Sequence, residues 1–236
     1  MKKLNGWEIG VSAFILYAAI SVRAQTFATL VNFDWSDGAN PAFVSLSQGL
    51  DGTLYGTTYA GGTDYDGTAF KVTQVGALTT LAALLHPEAG LVLSSDGNLY
   101  GTMLEGGANG YGAVFKITPS GNQTILHSFD GSDGSYPYAA LIQATDGSLY
   151  GTTAYGGMSN GTCFDGCGTV FRMARGGTFT TLHNFAGSYY DGADPMARLA
   201  QGTDGMLYGT TYAGGIFNAV SLTAAGPSSD SLRAVS

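Results

Sequence analysis

Asp96-Gly97-Asn98-Leu99-Tyr100-Gly101-Thr102, followed three residues later by Gly106-Gly107, is one of four copies of a single phrase. The other copies run Asp51 to Gly62, Asp146 to Gly157 and Asp204 to Gly215. Their tyrosines, Tyr55, Tyr100, Tyr150 and Tyr208, stand 45, 50 and 58 residues apart. A phrase recurring at that interval marks a repeat architecture.

Working outward, each copy has the same surroundings. A proline precedes it: Pro41, Pro87, Pro137 and Pro195. A leucine follows that proline: Leu46, Leu91, Leu141 and Leu199. Further upstream lies an alternating stretch, from Phe27 to Phe33, Leu78 to Leu85, Thr124 to Phe129 and Phe179 to Phe185. Downstream come Gly67-Thr68-Ala69-Phe70-Lys71-Val72, Gly112 to Ile117 and Gly168 to Met173, with a degenerate counterpart at Asn218 to Thr223. These segments are rich in aromatic and β-branched residues and are bounded by Gly, Asp, Asn and Pro, the pattern of strands and turns. Four strands in each of four units predict an all-β, β-propeller-like repeat protein, either closed or an open, partial ring. Asp-Gly is expected as a two-residue hairpin turn, and Gly-Gly as a tight turn with positive φ. Strand alternation sends Leu and Tyr to opposite faces, each packed on a neighbouring unit. The strand glycine then leaves room for an aromatic ring.

The N-terminus reads differently. Lys2 and Lys3, an apolar stretch from Ile9 to Val22, and small residues up to Ala24 predict a secretory signal peptide over 1–24. The repeat domain is expected over 25–226 and a polar tail over 227–236. The mature chain is expected to lack a membrane span and to be secreted or held in the cell envelope. The net charge of −8 becomes −10 once three basic and one acidic residue leave with the signal peptide. An acidic chain with few cations is a poor nucleic-acid binder. Cys163 and Cys167 flank Phe164-Asp165-Gly166 in an insertion of the third unit, and an oxidising compartment predicts a disulfide between them.

Sequence motifs of known chemistry are absent: there is no nucleophile elbow, His-Glu-x-x-His or phosphate loop. His127 and His183 share a repeat position that holds Val31 and Ala82 in the other units, which reads as structural. Acidic loops at 34–38, 130–134 and 190–194 offer Asp130 and Asp133 as weak calcium candidates, with turn formation the simpler role. No cofactor is expected. Tyr59, Tyr155 and Tyr212, between the phrase's Thr and its Gly-Gly, are the candidate binding residues, with Tyr65 and Tyr111 one loop further on. Aromatic faces at a rim could stack on a glycan or grip a protein.

The combination Leu-Tyr-Gly-Thr-Thr, Gly-Gly, Gly-Thr-Val-Phe, Leu-His-x-Phe and Asp-Gly, cleanest from Gln123 to Ala174, resembles the Gloeo-Verruco (GloVer) tandem repeat of bacterial secreted and surface proteins. The resemblance covers nearly all of the mature chain. It implies export and, in many members, a C-terminal surface anchor, and it implies no known enzymatic activity. The tail from Gly226 to Ser236 departs from an anchor in having no apolar span. The expectation is an exported, non-enzymatic binding or adhesion module. The alternative is a secreted carbohydrate-active hydrolase or lyase on a propeller scaffold.

Overall fold

The computed structural model describes residues 27–41, 45–159, 162–188, 191–214, 222–225 and 232–235. The expected signal peptide lies outside them. The described residues contain no helix.

Four antiparallel sheets of four strands follow one another along the chain. Sheet 1 is β1 (Ser47–Gln48), β2 (Leu54–Thr58), β3 (Thr68–Val72) and β4 (Leu78–Ala83). Sheet 2 is β5 (Val92–Leu93), β6 (Leu99–Met103), β7 (Ala113–Ile117) and β8 (Gln123–Ser128). Sheet 3 is β9 (Ile142–Gln143), β10 (Leu149–Thr153), β11 (Thr169–Met173) and β12 (Phe179–Asn184). A two-stranded ribbon, β13 (Gly192–Ala193) with β16 (Ala213–Gly214), precedes and interrupts sheet 4. Sheet 4 is β14 (Ala200–Gln201), β15 (Leu207–Thr210), β17 (Leu222–Ala225) and β18 (Leu232–Val235). Strand β18 pairs with β17, so residues 232–235 of the segment read as a polar tail belong to this sheet.

The phase of the repeat differs from the sequence reading. The alternating stretch does not open its own unit; it pairs with the strand before it, as β4 does with β3 and β8 with β7. It is the outer strand of the preceding sheet, and Phe129 or Phe185 at its end is handed on to the next. The first stretch, Phe27 to Phe33, has no sheet of its own and forms no strand.

The hairpin turn also differs. Ser94 N–H donates to Asn98 O and Gly97 N–H to Ser94 O, which encloses three residues, 95–97. Only the glycine takes positive φ, +80° at Gly97. Asp96 serves through its side chain, accepting the Asn98 N–H at 3.0 Å. This is the three-residue hairpin with a left-handed last position, which a lone Gly satisfies. The first three Gly-Gly pairs do adopt positive φ, for example +77° at both Gly156 and Gly157.

The core lies between sheets. Each sheet has a leading face, toward the preceding sheet, and a trailing face, toward the following one. Between sheets 1 and 2, Tyr55 and Ala69 of the trailing face meet Leu91, Leu99, Phe115 and Ile117 of the leading face. Between sheets 2 and 3, Val92 and Val114 meet Leu141, Leu149, Phe171 and Met173. Between sheets 3 and 4, Ile142, Tyr150 and Val170 meet Leu199 and Leu207. The strand glycine is forced by this packing: a Cβ on Gly151 would lie 2.6 Å from Phe171 Cζ and 2.7 Å from Leu141 Cδ2.

Polar contacts repeat at the same junctions. Thr57 Oγ1 donates to Ala89 O at 3.0 Å and Thr102 Oγ1 to Ala139 O at 3.4 Å, each reaching the next unit. Gln143 Oε1 accepts the Ser95 N–H and Gln201 Oε1 accepts the Thr145 N–H, both at 2.9 Å, while their amide nitrogens hold their own hairpins. These glutamines clasp neighbouring hairpins together.

Candidate functional site

At one end of the sheets the residue before each proline bends the chain. Asn40, His86, Tyr136 and Asp194 all have positive φ, between +45° and +56°. This is a rare conformation for a residue with a side chain, and rarer before proline. The reason is visible in the hydrogen bonds. Each carbonyl accepts the N–H of the residue two positions after the Thr of Leu-Tyr-Gly-Thr: Tyr59, Leu104, Ala154 and Tyr212 respectively. The bend thereby pins the end of the central strand at this rim.

The sequence candidates meet different fates here. Tyr155 sits one position later in its unit than Tyr59 and Tyr212 do in theirs. Its backbone bridges Ser135, and its ring meets Tyr136 edge to face with centroids 6.1 Å apart. Tyr59 instead packs at 5.0 Å on the ring of His86. Tyr212 is 82% exposed. The three therefore have different surroundings.

Tyr155 does belong to a cleft of about 590 Å³, lined also by Tyr111, Tyr136, Phe164, Ser135 and Asp165. One wall is the loop ending at Tyr111. The other is the insertion of the third unit, closed by the Cys163–Cys167 disulfide. Gly187, at φ +61°, lies against this bridge, where a Cβ would come within 2.6 Å of both sulfurs. Phe164, inside the disulfide ring, is 93% exposed. Sequence reasoning had Tyr111, Tyr155 and the bridge in hand. It missed Tyr136, because only the carbonyl pairing of the pre-proline bend reveals that this residue faces the rim.

Beside the cleft, Tyr138 and Glu88 continue the rim. Burial pushes the Tyr138 hydroxyl up, and the nearby acid groups of Glu88, Tyr155, Tyr136 and Tyr59 add to it. Burial also pushes the Glu88 carboxyl up, with His86 pulling it back.

The histidines and acidic loops have structural partners. His127 Nε2 lies 2.7 Å from Asp133 Oδ2, and its ring stacks on Phe179 at 3.6 Å. His183 Nε2 lies 3.2 Å from Asp191 Oδ1. Each pair ties an outer strand to the loop that follows it. Asp130 Oδ1 accepts from Ser132 N–H, Ser132 Oγ and Asp133 N–H, and Asp133 Oδ1 accepts the Asp130 N–H. These carboxylates do the work of an Asx turn. Among the described residues no cluster of three or more His, Cys, Asp or Glu is placed to hold a metal ion. Nor is any helix among them long and apolar enough to cross a membrane.

At the opposite end, in the second, third and fourth units, the phrase's own Asp receives its Tyr, while in the first Asp51 Oδ2 accepts from Thr53 Oγ1 instead. Tyr100 Oη donates to Asp96 Oδ2 at 2.8 Å and Tyr150 Oη to Asp146 Oδ2 at 2.9 Å. Burial together with Asp96 pushes the Tyr100 hydroxyl up to about 12. Burial pushes the Asp96 carboxyl up, but hydrogen bonds from Asn98, Tyr100 and Ser94 outweigh it and hold the group at about 2. In these three units the spacing of the phrase has a local use: Asp turns the chain and then accepts the Tyr hydroxyl four residues on.

Solved structures with this architecture are propellers. The extracellular domain of a one-component system from B. thetaiotaomicron superposes with a TM-score of 0.53 at 14% identity, over 80% of this chain and 21% of that one. A gluconolactonase from Xanthomonas campestris gives 0.51 at 16% identity, over 85% of this chain and 64% of that one. A protein described as a 6-phosphogluconolactonase from Bacteroides uniformis gives 0.50 at 20% identity, over 78% of this chain and 52% of that one. The chain thus spans between 21% and 64% of the length of these proteins, and the likeness is one of fold. Comparison with curated proteins gives no match. The sequence profile of the Gloeobacter/Verrucomicrobia repeat matches residues 16–223. With four phrases, four sheets and this match over most of its length, the chain belongs to the Gloeobacter/Verrucomicrobia repeat family.

Proposed function

We propose that this chain is an exported binding module, and that the cleft between Tyr111 and the disulfide loop takes a glycan. The observation that carries the reading is Phe164. A phenylalanine 93% exposed on a ring closed by a disulfide is costly to leave in water and gains nothing from folding. Held rigid at the mouth of a cleft with three tyrosines, it offers a flat apolar surface at little entropic cost on binding. Ser135 and Asp165 supply polar groups for hydroxyls at the same cleft. A sugar ring, apolar on its faces and polar at its edge, matches that arrangement. Export fits the predicted signal peptide and the disulfide, which persists in oxidising compartments.

The residues lining the cleft include one carboxylate, Asp165. Hydrolysis by the two-carboxylate mechanism needs a pair, which favours binding over cleavage. The test is a glycan array followed by calorimetry on a hit, repeated with Phe164→Ala and Tyr155→Ala. Each substitution is expected to weaken binding about tenfold, the loss of roughly one stacked ring. No glycan bound by the unaltered protein, or affinity unchanged in both variants, would overturn the reading.

A further inference from the structure

The junction of sheets 2 and 3 holds a second recess, of about 360 Å³, at the end of the sheets opposite the aromatic cleft. Small-molecule sites run from about 300 to 1,000 Å³. Leu126, Leu149 and Met173 are its apolar lining. Its titratable side chains are Asp96, Tyr100, Lys116 and Arg175. The chain carries 9 Lys and Arg against 17 Asp and Glu, so two cations facing one carboxylate invert its overall balance. That carboxylate is also engaged. Asp96 accepts from Asn98 N–H and Asn98 Nδ2, both at 3.0 Å, and from Tyr100 Oη at 2.8 Å.

The other units show what is different here. In sheet 1 the residue at the Lys116 position is Lys71, and its Nζ donates to Pro119 O in the β7–β8 turn at 3.3 Å. That bond draws the lysine across the junction. In sheet 3 the position holds Arg172, which stays in its own unit on Asp146 Oδ2 and Ser148 Oγ, at 3.2 and 2.9 Å. Lys116 has neither anchor: among the described residues no hydrogen bond or ion pair holds its Nζ. Across this junction, Arg175 stands in the β11–β12 turn where Pro119 stands in the β7–β8 turn. Its Nη2 donates to Ser95 Oγ at 3.1 Å. A Cβ on Gly147 would lie 2.6 Å from Arg175 Nε, so the guanidinium rests on the bare backbone of the sheet 3 hairpin. The bond to Ser95 leaves it further N–H donors.

We propose that this recess binds a small organic carboxylate, with the carboxylate group on Lys116 and Arg175 and the carbon skeleton against Leu126, Leu149 and Met173. A guanidinium presents paired donors that match a carboxylate. Lys116 breaks no bond to reach it. The apolar lining favours an organic acid over a bare inorganic anion, which has no apolar surface to bury there. This site is independent of the aromatic cleft and of the glycan assigned to that cleft.

Benzoate tests the assignment, with benzamide as its neutral counterpart and inorganic phosphate as the bare anion. Each is titrated into isotope-labelled protein and followed by amide resonances, which also show that each variant is folded. Millimolar benzoate is expected to shift the resonances of Gly176 and Gly177, which line the recess. Benzamide and phosphate should bind about tenfold more weakly. Lys116→Met and Arg175→Gln should each weaken benzoate about tenfold, the loss of one charge-assisted hydrogen bond. Asp96→Asn keeps an acceptor for Tyr100 and removes the opposing charge, so it should tighten benzoate. Lost packing would instead weaken benzoate in all three variants. Unmoved Gly176 and Gly177 resonances overturn the proposal, as does benzamide or phosphate binding as well as benzoate. So does an affinity unchanged by either cation's removal, or weakened by Asp96→Asn.

Discussion

Sheets 2 and 3 differ from sheets 1 and 4 in what surrounds the same residues. Leu141 in sheet 3 is fully buried and Leu46 in sheet 1 is half in water, though both follow a proline and precede the same short strand. Tyr150 is 1% exposed, while Tyr208, with the same phrase around it, is only half-buried. The buried Leu and Tyr side chains of the phrase do not find their packing within their own sheet. The phrase supplies half of a junction, and the neighbour supplies the other half. Stability in such a chain is a sum over neighbouring contacts, so position along the array decides what each residue contributes.

The largest effects are expected at the interior junctions. Phe171→Ala removes a ring that is 0% exposed and packed on Phe129, and should lower stability by about 3–5 kcal/mol in denaturant unfolding. Leu141→Ala should cost about 2–5 kcal/mol, and Leu46→Ala no more than about 0.5 kcal/mol. Equal costs at the two leucines would break the comparison. Next come the polar clasps. Gln143→Ala removes the acceptor of the Ser95 N–H at the junction of sheets 2 and 3, and should cost about 1 kcal/mol by the same assay.

The pair Asp96 and Tyr100 gives a pH test. The Asp96 carboxyl is held at about 2, below its ordinary 3.8, so its contribution is present above the unfolded value and fades as pH falls toward 2. The Tyr100 hydroxyl is raised to about 12, so its contribution is complete below 10 and is lost as pH rises from 10 to 12. In Asp96→Asn, ultraviolet titration should show the Tyr100 midpoint fall back toward 10 while remaining raised by burial. An unmoved midpoint would remove Asp96 from the account. The smallest effect on stability is expected from Cys163→Ser. The bridge spans a sequence separation of 4, and a short loop forfeits little chain entropy. Melting should shift slightly, with glycan binding through Phe164 the more sensitive readout.

Much of this was legible in the residues. Four phrases gave four sheets. The alternation of Leu and Tyr gave two packed faces, and the paired cysteines gave a bridge. What stayed hidden depends on partners distant in sequence. The outer strand, read alone, fits either neighbouring sheet; only the ladder of β4 with β3 assigns it backward. Gln201 looks like an ordinary polar strand residue until its side chain is seen on Thr145, 56 positions away. Tyr59 and Tyr212 share a repeat position and a rim, yet one rests on His86 and the other stands in solvent. Repeat position fixes the backbone, while the identity of the neighbouring unit fixes the environment. The candidate cleft arose where the third unit departs from the repeat, at its insertion, and repeat logic alone could not reach it.

Native-state hydrogen exchange on the chain tests the central claim most directly. If each core belongs to a junction, amides of β6, β7, β10 and β11 should exchange slowest, those of β2 and β3 faster, and those of β15 faster still. Protection that is equal across all four sheets, or highest in sheet 1 or sheet 4, would contradict it.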